Sequence, residues 1–297
     1  MRFRSLWAAL PGAVALAACD NNAGPTATVV REAALVRIVN AIPDTSALDF
    51  RFIDGIIEGA PQIADVPFRN FTPYQRADPG QRRIRVFTNP LPYGNSIAAA
   101  TALHVDTTVT LRVNERYTLI AVGNARAGRF DATARPTGTR LLVFTDSLPT
   151  TLTDAQVAVR TIHAATGVGN VAIWIQQSEA PAGVTGAPTF ASVPFAAASP
   201  YINLATRDTT PATALYRWDI ALAGTTTPIT VTPNSGLRGV RGTPAQNPLA
   251  GFQVGQSIIT AIVFPRSVAG SRAPQAAEFQ NVGIRFLPDR NLVVTER

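Results

Sequence analysis

The sequence contains very few of the side chains on which most enzyme sites depend. Among its 297 residues there is one cysteine, Cys19, there are two histidines, His104 and His163, and all 26 basic residues are arginine. Two histidines without further cysteines exclude a zinc site of the usual nitrogen and sulfur ligands. The pattern Gly-x-Ser-x-Gly is absent, and a serine triad would need one of the two histidines as its base. The sequence therefore predicts a protein that is not an enzyme, with no catalytic residue, no metal site and no cofactor.

A single cysteine also excludes an internal disulfide, so core burial must stabilise the folded part. Long apolar runs are absent as well. The longest lies near the amino end, at residues 6–16, and is too short to span a bilayer as a helix.

The amino end has the pattern of a bacterial lipoprotein signal. Arg2 and Arg4 precede the apolar run, and Leu16-Ala17-Ala18-Cys19 closes it in a form that resembles a lipobox. This resemblance implies a signal peptide at residues 1–18, cleavage before Cys19, and acyl chains such as palmitate on that cysteine. Residues 19–33 are polar and small and predict a flexible tether. We expect a membrane-anchored lipoprotein of the cell envelope, facing the periplasm or the cell surface. A plain export signal with a chance cysteine and a short anchor that is not cleaved are the alternatives.

The net charge of +7 is modest for a chain of this length. Such an excess favours anionic lipid headgroups or polyanionic envelope polymers as partners. It lacks the dense basic patch of a nucleic-acid-binding protein, so nucleic acid is not an expected partner.

The chain contains an internal repeat. Three pairs of segments match in the same order, at spacings of 123, 127 and 141 residues: 36–41 with 159–164, 66–74 with 193–201, and 111–118 with 252–259. A duplication with loop insertions produces such a steadily rising spacing, and copies of this length are domains with cores of their own. We therefore predict module 1 at residues 34–150 and module 2 at residues 155–297, joined by a short linker at residues 146–154.

Short strand-like segments dominate both copies. Residues 83–87 and 109–113 alternate apolar and polar side chains, whereas residues 117–122 and 258–264 are short runs rich in β-branched and aromatic residues, as expected of buried strands. The 23 prolines and 21 glycines place turns between them, and no segment after the amino end has a sustained helical period. The prediction is an all-β fold of two tandem antiparallel, immunoglobulin-like β-sandwich domains.

The first copy resembles a known bacterial family. A strand leading to Asn40, the turn at Pro43-Asp44 and a strand ending at Asp54-Gly55 are similar to the domain of unknown function 4397, as are residues 66–74 and 113–117. The resemblance implies β-sandwich modules, often tandem and exported, without known catalytic residues. The second copy departs from the pattern at Thr166-Gly167 and Gln176-Gln177, so its assignment depends on its match to the first.

Few residues are candidates for a site. His163 aligns with Asn40, which favours a hydrogen-bonding residue at a strand end rather than a ligand. Asp44, Asp49 and Asp54 could form a calcium loop, but their spacing is not that of an EF-hand; turns at Asp44 and Asp54 and an outward-facing Asp49 are the better interpretation.

The glycine-rich residues 236–242 lack the lysine of a phosphate-binding loop. With residues 243–248 they predict a long surface loop, in which Arg238 and Arg241 are the candidate binding residues.

Three functions are compatible with these observations. The first is a non-enzymatic envelope lipoprotein that presents two β-sandwiches for binding or adhesion to a protein or an envelope glycan. The second is a structural or assembly subunit of an envelope complex, whose partner pairs with a sheet edge. An undetected enzyme is the third, and it would require carboxylates or histidines from both modules to converge in a pocket.

Overall fold

The computed structural model describes residues 32–54, 63–88, 103–125, 138–177, 183–207, 215–230, 237–243 and 246–290. Within these ranges every regular element is a β-strand, apart from one short 3-10 helix at Ala277–Phe279. The predicted all-β fold is therefore confirmed. The predicted signal peptide, Cys19 and the tether up to residue 31 lie outside the described residues. In the described part of the chain, no helix is long and apolar enough to cross a membrane.

The first eight strands form two sheets, which together we call the first sandwich. Its inner sheet has the order β4-β1-β7-β8 and its outer sheet the order β3-β2-β5-β6. The strands are β1 (Ala34–Asn40), β2 (Leu48–Phe52), β3 (Ile63–Val66), β4 (Gln75–Ala77), β5 (Gly80–Thr88), β6 (Leu103–Leu111), β7 (Arg116–Val122) and β8 (Arg140–Thr145).

The remaining strands form the second sandwich in the same way. Its inner sheet has the order β12-β9-β14-β15 and its outer sheet the order β11-β10-β13. The strands are β9 (Gln156–His163), β10 (Val171–Gln177), β11 (Phe190–Val193), β12 (Ile202–Ala205), β13 (Tyr216–Leu222), β14 (Ile258–Phe264) and β15 (Gly283–Pro288).

One strand pair in each sandwich departs from the predicted antiparallel arrangement. In the two inner sheets β1 runs parallel to β7, and β9 runs parallel to β14, whereas the other strand pairs among the described residues are antiparallel. These four strands are almost wholly buried. Burial on both faces is typical of parallel pairs, and it explains why residues 117–122 and 258–264 are largely apolar, with Thr118 and Thr260 as the hydroxyl-bearing exceptions besides Tyr117.

The inner sheets are covered on both faces by apolar side chains. In β1, Val36 and Ile38 face the outer sheet and belong to the core of the first sandwich, and Val159 of β9 belongs to the equivalent core of the second. A third apolar cluster joins the two inner sheets, with Val39 and Ile162 among its members. The four sheets are thus stacked as outer, inner, inner and outer, and Glu32–Arg297 forms a single compact unit.

The same hydrogen bonds occur at equivalent positions within each sandwich, as expected of a duplication. The backbone amide of Ile38 donates to Thr72 Oγ1 over 3.0 Å, and that of Thr161 donates to Ser199 Oγ over 2.9 Å. Arg69 and Ala196 occupy the same place in the preceding turn, and both have a left-handed backbone, with φ of 61° and 67°. The first two sequence matches therefore have structural counterparts.

The third match is displaced by one residue. In the parallel pairs, Arg37 lies beside Thr118 and Arg160 lies beside Thr260. Because Arg37 and Arg160 are equivalent, Thr118 corresponds to Thr260 and not to Ile259, so the spacing is 142 residues rather than the predicted 141. Loop segments on either side allow an alignment of short apolar strands to slip in this way.

Candidate functional site

The inner sheets bring two arginines into the buried contact between the sandwiches. Arg37 lies in β1 and Arg160 in β9, and their side chains are only 1% and 5% exposed. Both side chains point away from the cores of their own sandwiches because they alternate with core residues along the strand. A guanidinium in such a position requires polar partners from the facing sheet.

Each arginine binds one partner in its own sandwich and one in the other. Arg37 Nε donates to Thr118 Oγ1 over 2.8 Å, and its Nη2 lies 2.5 Å from Asp289 Oδ1 in the second sandwich. Arg160 repeats the arrangement: its Nε donates to Thr260 Oγ1 over 2.9 Å, and its Nη2 pairs with Asp146 of the first sandwich. The two contacts are reciprocal and cross between the sandwiches.

The hydroxyl groups close these contacts into a ring. Thr118 donates to Asp146 Oδ2 over 2.6 Å, and Thr260 donates to Asp289 Oδ2 over 2.7 Å. Each carboxylate therefore accepts from a threonine of its own sandwich and pairs with the arginine of the other. We call this set the arginine–aspartate ring: Arg37, Thr118, Asp146, Arg160, Thr260 and Asp289.

Two tyrosines cover the ring. Tyr74 donates to Asp146 over 2.6 Å and Tyr201 donates to Asp289 over 2.8 Å. The guanidinium of Arg37 lies 4.7 Å from the Tyr74 ring centre, and that of Arg160 lies 4.9 Å from the Tyr201 ring centre. Burial and the neighbouring carboxylates raise the pKa of both tyrosines, against the opposing effect of the arginines, so both hydroxyls remain protonated donors.

The ring carries no net charge, since two guanidinium groups face two carboxylates. Burial by itself lowers the pKa of Arg37, but Asp289, Tyr74 and Asp146 together raise it above its ordinary value. Burial acts on Arg160 in the same way, and its own partners likewise raise its pKa. Both arginines are therefore charged at every physiological pH, and the ring is a permanent connection between the sandwiches.

A cleft of about 910 Å³ opens where loops of the two sandwiches meet. Loops that follow the central strands β1, β7, β9 and β14 contribute to its wall. Two hydrogen bonds between the sandwiches hold this wall together: the amide of Gly123 donates to Thr166 Oγ1 over 3.0 Å, and that of Val268 donates to Pro43 O over 2.9 Å. The cleft therefore exists only because the sandwiches are docked.

The lining of the cleft combines polar and apolar groups in similar amounts and is almost uncharged. Arg266 is the one ionisable side chain among the described residues that line it, and no carboxylate is present there. Amide groups of Asn124 and Asn281 and the hydroxyl of Ser267 accompany it, and the Ser267 hydroxyl is buried without a hydrogen-bond partner in the described part of the chain. Leu222 and other aliphatic residues supply apolar surface, and Leu222 is 41% exposed.

Arg69 fixes one wall of this cleft from the first sandwich. Its guanidinium donates to the carbonyl oxygens of Pro265 and Glu278, each over 2.7 Å, and also to that of Asn281. Pro265 and Asn281 both line the cleft. Burial, reinforced by the nearby charge of Arg285, lowers the pKa of Arg69 to about 10, so it remains charged at neutral pH.

His163 acts as the predicted hydrogen-bonding residue at a strand end. Its Nδ1 accepts from the Ala165 amide over 3.2 Å, as Asn40 Oδ1 accepts from the Ile42 amide over 3.0 Å. Its Nε2 lies 2.9 Å from Gly169 O, which assigns the proton to Nε2. Burial lowers the pKa of His163, so this tautomer is neutral at pH 7.

The predicted acidic residues do not come together. Asp44 accepts from the Ala125 amide over 2.8 Å, and Asp54 pairs with Arg82 over 3.1 Å. Asp49 was predicted to face outward; it is buried, and it accepts from the Asp65 amide over 2.9 Å. Among the described residues, no group of three or more histidine, cysteine, aspartate or glutamate side chains could hold a metal ion.

Arg238 and Arg241 lie outside the cleft, on a β-hairpin rather than in the predicted irregular loop. Residues 237–243 pair with residues 246–252 through backbone hydrogen bonds, and both arginines are exposed. Arg238 Nε donates to Gln253 Oε1 over 3.1 Å. Cys19, the predicted lipidation site, lies outside the described residues.

This two-sandwich arrangement can be compared with known proteins. Residues 34–174 match the model of a family described as Domain of unknown function (DUF4397). The resemblance to DUF4397 predicted from the sequence is thereby confirmed. The match covers the first sandwich, β9 and the first half of β10, and residues 175–297 lie outside it.

A crystal structure from Parabacteroides distasonis ATCC 8503, of a protein provisionally described as a cell adhesion protein, is also similar. It shares 9% sequence identity with this chain at a TM-score of 0.19, over 86% of this chain and 99% of that one. No curated protein matches the sequence.

None of the ring residues was predicted from the sequence as functional, although a signal was present. Both copies of the first repeat carry an arginine, Arg37 or Arg160, within an otherwise apolar strand. A charged side chain is rarely buried unless it is paired, so an arginine repeated at this position indicates a buried ionic contact. Asp146 was instead assigned to the linker, and it is buried in the ring.

Proposed function

We propose that this chain is a non-enzymatic lipoprotein of the cell envelope that binds an acidic glycan in the cleft between its two sandwiches. The observation that carries the proposal is the lining of the cleft. It combines uncharged hydrogen-bonding groups with one cation, Arg266, and has no carboxylate among the described residues.

Sugar units suit such a lining. Their hydroxyl groups both donate and accept hydrogen bonds, as do the exposed side chains of Asn124 and Asn281. A sugar carboxylate would pair with Arg266, whose guanidinium forms no ion pair within the described part of the chain. The cleft volume of about 910 Å³ lies at the upper end of the range of small-ligand sites, about 300–1,000 Å³.

Rigidity supports a binding role. The arginine–aspartate ring and Arg69 connect the two sandwiches on either side of the apolar contact between the inner sheets. A cleft that is already formed does not need to be ordered when the ligand binds, which lowers the entropic cost of binding.

The proposal assigns no catalytic reaction to this protein, and His163 is not available as a catalytic base. Both ring nitrogens of His163 are engaged with backbone groups, and its pKa is lowered by burial.

The pattern that ends in Cys19 supports attachment to a membrane. Intact mass and membrane fractionation of the native protein and of Cys19→Ala test this attachment: loss of residues 1–18 with added acyl chains supports it, and an unacylated soluble native protein contradicts it.

Calorimetric titration with oligosaccharides tests the glycan proposal. Polymannuronate fragments supply a carboxylated probe, and dextran fragments of similar length supply a neutral one. We expect binding of the carboxylated fragments, weakened about tenfold or more by Arg266→Gln, since a hydrogen bond to a charged group contributes about 1.5–3 kcal/mol.

Arg272→Gln is the matched control, because Arg272 is an exposed arginine outside the cleft. It removes the same charge and should leave the affinity unchanged. Equal weakening by the two variants would indicate a non-specific charge effect and contradict the assignment to the cleft. Binding of neither polysaccharide would contradict the glycan proposal and leave a protein ligand as the alternative.

A further inference from the structure

The hairpin formed by residues 237–243 and 246–252 carries an unusual exposed apolar pair. Val240 and Leu249 are 55% and 63% exposed, the highest values among the large apolar side chains in the described part of the chain. They are direct partners across the two strands of the hairpin. Opposite residues of an antiparallel pair project to the same face, so the two side chains form one apolar surface.

Backbone hydrogen bonds and the buried Phe252 hold this hairpin against the second sandwich. Phe252 is fully buried in the core of the second sandwich, and its amide donates to Leu237 O over 2.8 Å. The amides of Val240 and Leu249 donate to each other's carbonyls over 2.9 and 2.8 Å. Gly239 has a φ of +80°, and a Cβ there would lie 2.7 Å from Leu249 O, so the strands approach closely at this point. The side chains are therefore displayed by an ordered element.

The charged side chains of the hairpin are all positive. Residues 237–252 include Arg238 and Arg241 and no aspartate or glutamate. Both arginines are exposed. Aliphatic side chains flanked by arginine suit a lipid bilayer with anionic headgroups. The guanidinium groups stay with the headgroups, while the aliphatic groups leave water for the apolar layer beneath.

We propose that the paired strands at residues 237–243 and 246–252 form a membrane-contacting hairpin that inserts Val240 and Leu249 into a bilayer containing anionic lipid. An acidic polysaccharide would satisfy the two arginines but would give the exposed aliphatic pair no apolar environment. The contact requires neither acylation of Cys19 nor a ligand in the cleft, so it stands or falls separately from the proposed function.

A fluorescent reporter on the hairpin tests this contact in the full chain. Cys19→Ser removes the sole cysteine, and Thr243→Cys then takes a nitrobenzoxadiazole label beside the apolar pair. With vesicles of phosphatidylcholine and phosphatidylglycerol we expect a blue shift and a several-fold rise in emission, and a weaker response with phosphatidylcholine alone. The same label at Thr226→Cys, an exposed position in another loop, should not respond.

Two further variants separate the contributions of the hairpin. Val240→Ser combined with Leu249→Ser should abolish the blue shift, and Arg238→Gln combined with Arg241→Gln should reduce it to the phosphatidylcholine level. The proposal is overturned by no response at position 243, by an equal response at position 226, or by a response that survives loss of the apolar pair. A response to polymannuronate in place of vesicles would also overturn it and would assign the hairpin to glycan.

Discussion

The arginine–aspartate ring predicts a strong dependence of stability on single charges. In Asp289→Asn, the guanidinium of Arg37, which is 1% exposed, loses the carboxylate that lies 2.5 Å away. An uncompensated charge at a buried site typically costs about 3–5 kcal/mol. We expect the free energy of unfolding to fall by that amount, a large fraction of the total stability of an ordinary domain.

Removing the partner as well should restore much of the loss. In the double variant Arg37→Met with Asp289→Asn no buried charge is left unpaired at this half of the ring, and methionine fills the volume of the arginine stem. Replacement of a buried ion pair by well-packed hydrophobic residues of similar volume is often neutral or stabilising. Here methionine is the hydrophobic replacement, and the asparagine Oδ1 can still accept the hydrogen bonds that Tyr201 and Thr260 donate to Asp289. The double variant should therefore be more stable than Asp289→Asn alone, with a coupling of about 2 kcal/mol or more.

Urea unfolding followed by tryptophan fluorescence measures these effects, because Trp218 is fully buried in the second sandwich. The control is Arg83→Met, which removes a pair of 2.8 Å with Asp106 from a side chain that is 51% exposed. Water solvates both groups there, so the change should be small. Two results would contradict this expectation: Asp289→Asn is no more destabilising than Arg83→Met, or the loss in the double variant equals the sum of the losses in Asp289→Asn and in Arg37→Met measured separately.

Three other predictions concern individual contacts. Tyr74→Phe and Tyr201→Phe should each lower the free energy of unfolding by about 1.5–3 kcal/mol, because each removes a hydrogen bond to a carboxylate; clearly unequal values in urea unfolding would contradict the equivalence of the two halves of the ring. Arg69→Met should speed amide hydrogen exchange in residues 265–281 without affecting β2 and β5, and unchanged exchange would show that Arg69 does not hold the cleft wall. His163→Asn should keep the strand-end hydrogen bond that Asn40 makes in the first sandwich, and it should make stability less sensitive to acid. Burial lowers the pKa of His163 below 6.5, so the unfolded state takes up a proton at a higher pH than the folded state does. In the native protein the free energy of unfolding therefore falls as the pH drops from 6.5 towards the folded pKa. Stability of this variant measured from pH 7 to pH 5 should therefore fall less than that of the native protein, and identical slopes would refute the role of His163.

The strands and the repeat could be predicted from the sequence because both are local. Residues 36–41 and 159–164 display their apolar pattern and their shared arginine within six positions. The parallel pairing of β1 with β7 could not be predicted, because the pattern of a strand buried on both faces does not specify the direction of its neighbour.

The ring was beyond sequence reasoning for a different reason. Arg37 and Asp289 are partners across 252 positions of the chain, and nothing in either segment identifies the other. Asp146 and Asp289 follow edge strands whose sequences differ between the copies, so neither aspartate was aligned. The cleft depends in turn on this docking. Arg238 and Arg241 were recognised as exposed from the glycine-rich pattern, but that pattern predicted a loop where cross-strand hydrogen bonds form a hairpin.

Differential scanning calorimetry tests most directly the claim that the two sandwiches are one rigid unit. For a single cooperative unit, the calorimetric enthalpy of unfolding equals the van't Hoff enthalpy. The ring, Arg69 and the apolar contact between the inner sheets predict one transition with equal enthalpies. Two resolved transitions, or a calorimetric enthalpy about twice the van't Hoff value, would show that the sandwiches unfold independently and do not form one rigid unit.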